Sequence, residues 1–326
     1  HGWLLTGPKG SGKATFAWRI ARFLLATPPQ EDDGLFGAPP PPTSLDISPE
    51  HPVARQMAAR AAPGLFSLTR SVVETTGRMS REIRIDDVRR LRGFFAMSAT
   101  DGGRRVVIVD AADEMNTSAA NAILKLLEEP PKDAVLLLIA HQPSRLLPTI
   151  RSRCRVLPCA PLEPSDLTAA LTQAGIAPSA PEALTALSGG SAGAAVRFEE
   201  ADGPALYGAL LGLLGSLPTL DRAALAKLCG TASGRDGAEK LARLLDLLDI
   251  LLNRLARTGL VGPPALEAMQ GEAKALSRLS PDAQSARKWA SLAQSLTARA
   301  RDVAAVNLDP SSLIFDTMLK LEREAA

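Results

Sequence analysis

The sequence is poor in cysteine and has no long apolar run. Its three cysteines, Cys154, Cys159 and Cys229, are odd in number and widely spaced, which is typical of a reducing compartment and not of a disulfide framework. No stretch approaches the roughly 20 apolar residues that a membrane-spanning helix needs, and we find no signal peptide. We therefore expect a cytoplasmic protein with no membrane partner.

Aromatic residues and an excess of either charge are also lacking. The 37 Lys and Arg nearly balance the 35 Asp and Glu, so no basic face indicates autonomous binding of nucleic acid. Aromatic residues make up 4% of a chain that is 46% hydrophobic, which predicts cores of alanine and leucine and much helix. Because the chain opens at His1, almost directly on an apolar run, we expect its native N-terminus to be missing.

A glycine-rich loop lies between that first apolar run and a helical pattern. It satisfies the phosphate-loop pattern G-x-x-x-x-G-K-[ST] up to the last position, where Ala14 stands. Backbone N–H groups of such a loop close around phosphate oxygens, but alanine lacks the hydroxyl that normally binds Mg²⁺. An ordinary glycine turn is the alternative, and the flanking strand and helix argue against it. The residues of this predicted, degenerate nucleotide site are Gly7, Gly10, Gly12, Lys13, Ala14 and Asp110.

Apolar runs without alternation are typical of strands that are buried on both faces. Val106–Val109 and Val135–Ile139 are such runs, and a helical pattern with Asn116 or Thr117 as its cap separates them. Strands that alternate with helices predict an α/β fold with a parallel sheet. Weaker strand candidates are Leu65–Val73 and Ile83–Ile85.

The residue after the strand that ends at Asp110 is the second position at which this sequence differs from an active ATPase. At the carboxyl edge of the sheet Asp110 can hold Mg²⁺, and in ATPases of this type the next residue is usually a glutamate that polarises water. Here that residue is Ala111. Glu114 begins the following turn, and we do not expect it to replace the missing glutamate.

Two longer segments are more specific than the phosphate loop. Asn116–Pro131 follows Val106–Asp113 and ends in Glu-Glu-Pro-Pro, and Leu147–Cys154 contains Ser-Arg-Cys. Together with Asn307-Leu308-Asp309-Pro310, these segments resemble the AAA+ subunits of bacterial clamp loaders, above all the delta-prime family of DNA polymerase III. The resemblance covers nearly the whole chain.

The resemblance implies three domains. They are an AAA+ parallel-sheet P-loop core at 1–161, a small helical lid at 162–201 and an all-α collar for oligomerisation at 202–326. The proline-rich segment 28–63 then occupies the place of an insertion in the core, and we expect a long or partly disordered loop there. Relatives hold zinc in a four-cysteine insertion. This chain has no cysteine before Cys154, so we expect no zinc.

The resemblance also implies a partner set and a function. The partners are gamma/tau and delta subunits in a hetero-pentamer that opens a sliding clamp and places it on primed DNA. Gamma/tau hydrolyses ATP, and the delta-prime member does not. Arg153, in what the sequence suggests is a strand-to-helix context, matches the arginine finger that one subunit presents to its neighbour's ATP, a role that suits an always-charged, forked guanidinium. A surface charge or a salt bridge within the domain is the alternative for Arg153.

Further departures favour a non-hydrolysing subunit. Gly193 stands where the lid of an active member carries an arginine, and the sensor position falls at Ala140 or His141, to which we assign no role. We expect that no cofactor is required, although ATP or ADP can bind weakly or without hydrolysis. The alternatives are an active gamma/tau-like ATPase and an unrelated P-loop protein.

Overall fold

The chain forms two compact units, His1–Pro161 and Leu162–Ala326. The computed structural model describes residues 2–27, 42–72, 77, 79–96, 103–231, 237–303 and 310–325. Residues 28–41, Val73 and Asn307-Leu308-Asp309, on which some of the predictions fall, lie outside the described residues.

The first unit is a parallel sheet with helices on both faces. Its elements are β1 (Gly2–Thr6), α1 (Lys13–Ala26), α2 (Pro52–Ala58), β2 (Leu65–Leu68), α3 (Ile85–Ala96), β3 (Arg105–Asp110), α4 (Thr117–Glu128), β4 (Ala134–Ala140), α5 (Pro148–Arg153) and β5 (Cys154–Pro158). The strands of the described part pair in the order β2-β3-β4-β1-β5. Every one of these pairs is parallel.

Both faces of this sheet are buried. Val107 and Val109 of β3 pack in a core with α3, α4 and α5, whereas Val106 and Ile108 point to the opposite core, beneath α1 and α2. A strand covered on both sides needs apolar residues at every position, which is why its sequence does not alternate. The predicted α/β class is confirmed.

Two of the predicted strands differ from what the structure shows. Ile83–Ile85 is not a strand: Ile83 makes a single bridge with Met115, and α3 begins at Ile85. Asp87 accepts a hydrogen bond from the Arg84 N–H at 2.9 Å, which stabilises the first turn of the helix at that point. The other strand candidate, Leu65–Val73, is shorter than predicted, since β2 ends at Leu68.

The proline-rich segment is not all loop. Its last part contains α2, where His51 Nδ1 accepts a hydrogen bond from the Val53 N–H at 3.2 Å and Pro52 occupies the first helical position. Proline is favoured there because its fixed φ suits the helix and its missing N–H is not needed. The helix was not predicted because the high proline content of the segment indicated a loop.

In its described residues the second unit contains helices and no strand. They are α6 (Pro164–Gln173), α7 (Pro181–Ser188), α8 (Ala192–Glu200), α9 (Gly203–Gly215), α10 (Arg222–Thr231), α11 (Gly237–Val261), α12 (Glu272–Leu279), α13 (Ala283–Val303) and α14 (Pro310–Ala325). No helix in the described ranges is long and apolar enough to cross a membrane.

In the described part of the second unit, hydrophobic residues form two clusters. The smaller one joins α6 to α7 and α8 through Leu167, Leu184 and Ala195. The larger, leucine-rich one centres on α9 and α11. Leu187 of α7 belongs to the larger cluster. The division of 162–326 into a lid and a collar stays a prediction.

Candidate functional site

The loop between β1 and α1 has the backbone that its glycines permit. Gly7, Gly10 and Gly12 have φ angles of 146°, 82° and 80°, in a region that residues with a Cβ avoid. The helix α1 begins at Lys13, immediately after Gly12. Its first N–H groups have no partner within the helix, and such a terminus attracts anions.

Lys13 joins the two ends of this loop. Its Nζ donates hydrogen bonds to the carbonyl oxygens of Gly7 at 2.8 Å and Pro8 at 2.5 Å, and the side chain is only 2% exposed. Burial lowers the pKa of Lys13, while the charges of Asp113 and Asp110 act in the opposite direction. The ammonium therefore lies within electrostatic reach of both carboxylates at the edge of the sheet.

The loop also packs tightly against the end of the edge strand β5. The Cys159 N–H donates to the carbonyl oxygen of Thr6 at 2.7 Å. A Cβ atom on Gly7 would lie 2.2 Å from the carbonyl oxygen of Cys159, so only glycine fits there. Burial raises the pKa of the Cys159 thiol, and the nearby charge of Lys13 reduces that effect.

The position that follows Asp110 at the edge of the sheet carries no carboxylate. Ala111, buried and without a functional group, follows Asp110. Glu114 is ion-paired with Arg70, with 2.9 Å between its Oε2 and the Arg70 Nε. The carboxylate of Glu114 is thus engaged by the Arg70 guanidinium.

Asp113, which was not among the predicted site residues, also lies at this edge. Its two carboxylate oxygens accept hydrogen bonds from the backbone N–H groups of His141, at 3.1 Å, and Gln142, at 2.9 Å. The buried carboxylate thereby ties the turn after β3 to the residues that follow β4. Its spacing of three from Asp110 was the available signal, but the backbone partners were not visible in the sequence.

Arg153 lies at the end of α5, directly before β5. Arg153 thus ends the strand-to-helix unit formed by β4 and α5, in agreement with the context predicted for it. The edge strand β5 that follows was not predicted, because its exposed residues, such as Arg155 and Val156, give no clear apolar run. The Arg153 Nη2 lies 2.8 Å from Glu128 Oε1, and Nη1 donates to the carbonyl oxygen of Thr149 at 3.1 Å. The side chain is still 39% exposed.

The remaining predicted positions carry little chemistry. Gly193 lies in α8, whose N-terminus Ser191 caps by accepting from the Ala194 N–H at 3.1 Å. Within the described ranges, no cluster of three His, Cys, Asp or Glu residues is placed to hold a metal ion. The cysteines Cys154, Cys159 and Cys229 are free thiols.

The glycine-rich loop, the parallel sheet and the acidic strand end are those of an α/β protein with a P-loop fold. A sequence model of the family described as "DNA polymerase III, delta subunit" matches residues 1–163, which is half of the chain. The chain belongs to this family. Strand order and family membership together confirm the predicted AAA+ fold class.

Curated relatives agree with this assignment. The delta-prime subunit of DNA polymerase III from Pseudomonas aeruginosa is 42% identical over 195 residues, which cover 59% of this chain and 53% of that protein. The delta-prime subunit from Escherichia coli is 31% identical over 204 residues, which cover 62% of this chain and 55% of that protein. The gamma/tau subunit from Mycobacterium tuberculosis is 29% identical over 175 residues, which cover 53% of this chain and 26% of that protein. The matches thus span about half the length of the two delta-prime relatives.

Proposed function

We propose that this chain is a non-hydrolysing, delta-prime-like subunit of a DNA polymerase III clamp loader. In this proposal it assembles with gamma/tau and delta subunits in the cytoplasm and assists the ATP-driven loading of a sliding clamp onto primed DNA. Family membership and the delta-prime relatives support the proposal. The gamma/tau relative matches less strongly, so an active ATPase is the second candidate.

The absence of hydrolysis is proposed from the residues at the acidic edge and in the loop. Ala14 offers no hydroxyl and Ala111 no carboxylate, and Glu114 is paired with Arg70. Each such group is worth orders of magnitude in rate, so their joint loss leaves little turnover. A catalytic Mg²⁺ therefore does not fit this donor set, of which Asp110 alone remains.

Binding of a nucleotide without hydrolysis is compatible with the same loop. The positive φ angles of Gly7, Gly10 and Gly12 and the bonds of Lys13 across the loop give the closed shape that cradles phosphates. A site of this kind would hold ATP or ADP as a fixed ligand, supplying stability and no chemistry. No zinc is needed for this role.

The observation that carries the proposal is the position and the exposure of the Arg153 side chain. Its guanidinium is held at the end of α5 and remains 39% exposed, as a charge that acts on a neighbouring molecule must be. A guanidinium forks onto phosphate oxygens and stabilises the charge of a phosphoryl-transfer transition state. In this proposal Arg153 acts in trans, on the ATP of an adjacent gamma/tau subunit.

Reconstitution with purified gamma/tau and delta subunits tests this proposal. The isolated chain should hydrolyse ATP no faster than a buffer control, and A14S alone should not create activity. The complex should elute as one assembly and hydrolyse ATP in response to clamp and primed DNA. Turnover by the isolated chain near 1 s⁻¹, roughly the lower end for working enzymes, would favour the gamma/tau-like alternative. If the chain does not assemble with gamma/tau and delta subunits, both the proposed function and the gamma/tau-like alternative are contradicted.

A further inference from the structure

Arg153 is fixed to its own chain at two points. Glu128 Oε1 lies 2.8 Å from Nη2, and the Thr149 carbonyl oxygen accepts from Nη1 at 3.1 Å. Glu128 is the last residue of α4, and Arg153 is the last residue of α5. The guanidinium carries further N–H donors beyond these two, so an outside acceptor can bind while both contacts persist.

Stability does not account for a glutamate at this position. The C-terminus of a helix is the negative end of its dipole, where a carboxylate is unfavourable and a lysine or arginine is preferred. The ion pair with Arg153 offers little in return, because its two side chains are 42% and 39% exposed and such pairs contribute weakly to folding. What the pair does achieve is to restrict the direction of a long, flexible cation.

We propose that Glu128 is the positioning residue of the arginine finger. Its carboxylate holds the Arg153 guanidinium in the direction from which it meets the terminal phosphate of a nucleotide bound by the neighbouring subunit. This inference rests on the proposed trans role of Arg153. Because the side chain is ordered in advance, it loses less conformational entropy when it binds in the transition state.

Substitutions of Glu128 in the reconstituted loader test this role. E128K places a like charge beside the finger, and its loss of clamp- and DNA-stimulated kcat should approach that of R153A. E128Q keeps one acceptor oxygen and should lose only about twofold to fivefold at the affected site, the range expected of an exposed pair. The KM for ATP should stay unchanged, because only the transition state is affected, and the melting temperature should not fall, because a carboxylate at the end of α4 is unfavourable.

Glu129 provides the matched control, since it is exposed and lies one residue further along. E129K makes the same change of charge and should behave as the wild type. The double variant E128K/R153A should be no slower than R153A, because Glu128 acts only through the arginine.

Three results would overturn the positioning role. They are wild-type turnover of E128K, further loss in E128K/R153A beyond R153A, and loss of assembly in E128K but not in E129K. If R153A itself has wild-type turnover, the proposed function fails, and the positioning role fails with it. The two failures are therefore distinguishable.

Discussion

The backbone of Gly7 packs directly against the carbonyl group of Cys159, and a Cβ atom at Gly7 would lie 2.2 Å from that oxygen. The φ angle of Gly7, 146°, is also one that residues with side chains avoid. We expect G7A to destabilise the first unit by about 3 kcal/mol or more, a drop of about 6 to 12 °C in melting temperature.

Gly12 is the matched control for this substitution. It too has a positive φ, 80°, but a Cβ built there has no heavy atom of the described residues within 4 Å, its two chain neighbours aside. G12A should therefore cost only about 1 to 2 kcal/mol, the strain of the left-handed conformation. Thermal denaturation followed by circular dichroism compares the two variants. Equal effects would contradict the close approach of Gly7 and Cys159.

The second unit contains a buried polar network, and we expect substitutions in this network to lower the free energy of unfolding of the unit strongly. Glu272 is fully buried, and its carboxylate accepts from Tyr207 Oη at 2.5 Å, from Arg254 Nε at 2.6 Å and from the Ala268 N–H at 2.6 Å. E272A leaves Arg254, whose side chain is only 16% exposed, without its counter-charge, for which we expect a loss of about 3 kcal/mol.

Y207F removes a single hydrogen bond of the same network and should cost about 1 to 2 kcal/mol. Denaturant unfolding of both variants gives the two free energies. If E272A is no more destabilising than Y207F, Glu272 does not compensate the charge of Arg254 in the way that the geometry indicates.

The stability of the first unit should fall at alkaline pH in a way that depends on Cys154. Burial raises the pKa of this thiol to about 11. Because the unfolded thiol loses its proton first, the contribution of Cys154 is complete below about pH 8.5 and is lost as the pH rises through the folded pKa.

The wild type should therefore lose about 2 kcal/mol more than C154A between pH 8 and pH 10.5. Unfolding by urea at the two pH values measures this difference, and the other titrating groups affect both proteins alike. Parallel losses in the two proteins would show that the thiol is not protected by burial.

Features with a strong local pattern were predictable from the sequence. The unbroken apolar run of β3 predicted a strand covered on both faces, and Asn116 caps α4 by accepting from the Ala119 N–H at 2.9 Å. The edge strand β5 was missed because its exposed residues mix charge with apolar side chains. The helix α2 was missed because prolines around it indicated a loop.

Contacts between segments that are distant in the chain were not predictable. Glu128 and Arg153 lie in different helices, and nothing in their local sequence indicates that they meet. Asp113 likewise finds its partners, the N–H groups of His141 and Gln142, after another strand. Residue types identified the candidate groups, whereas packing of the sheet and its helices determined which of them act on one another.

The central claim is that Arg153 acts on a nucleotide held by another subunit. In other systems a finger arginine is worth about 10³ to 10⁵ in rate at its own site. Because the remaining sites of the ring continue to work, the total turnover of the loader should fall only in part when Arg153 is replaced.

The most direct measurement is the clamp- and DNA-stimulated ATPase of loaders reconstituted with R153A or R151A. Arg151 is an exposed arginine of the same helix, two residues away, and serves as the control. We expect R153A to assemble normally and to hydrolyse ATP more slowly, and R151A to match the wild type. Unchanged turnover and clamp loading in both variants, or equal disruption of assembly by both, would contradict the trans-acting role of Arg153.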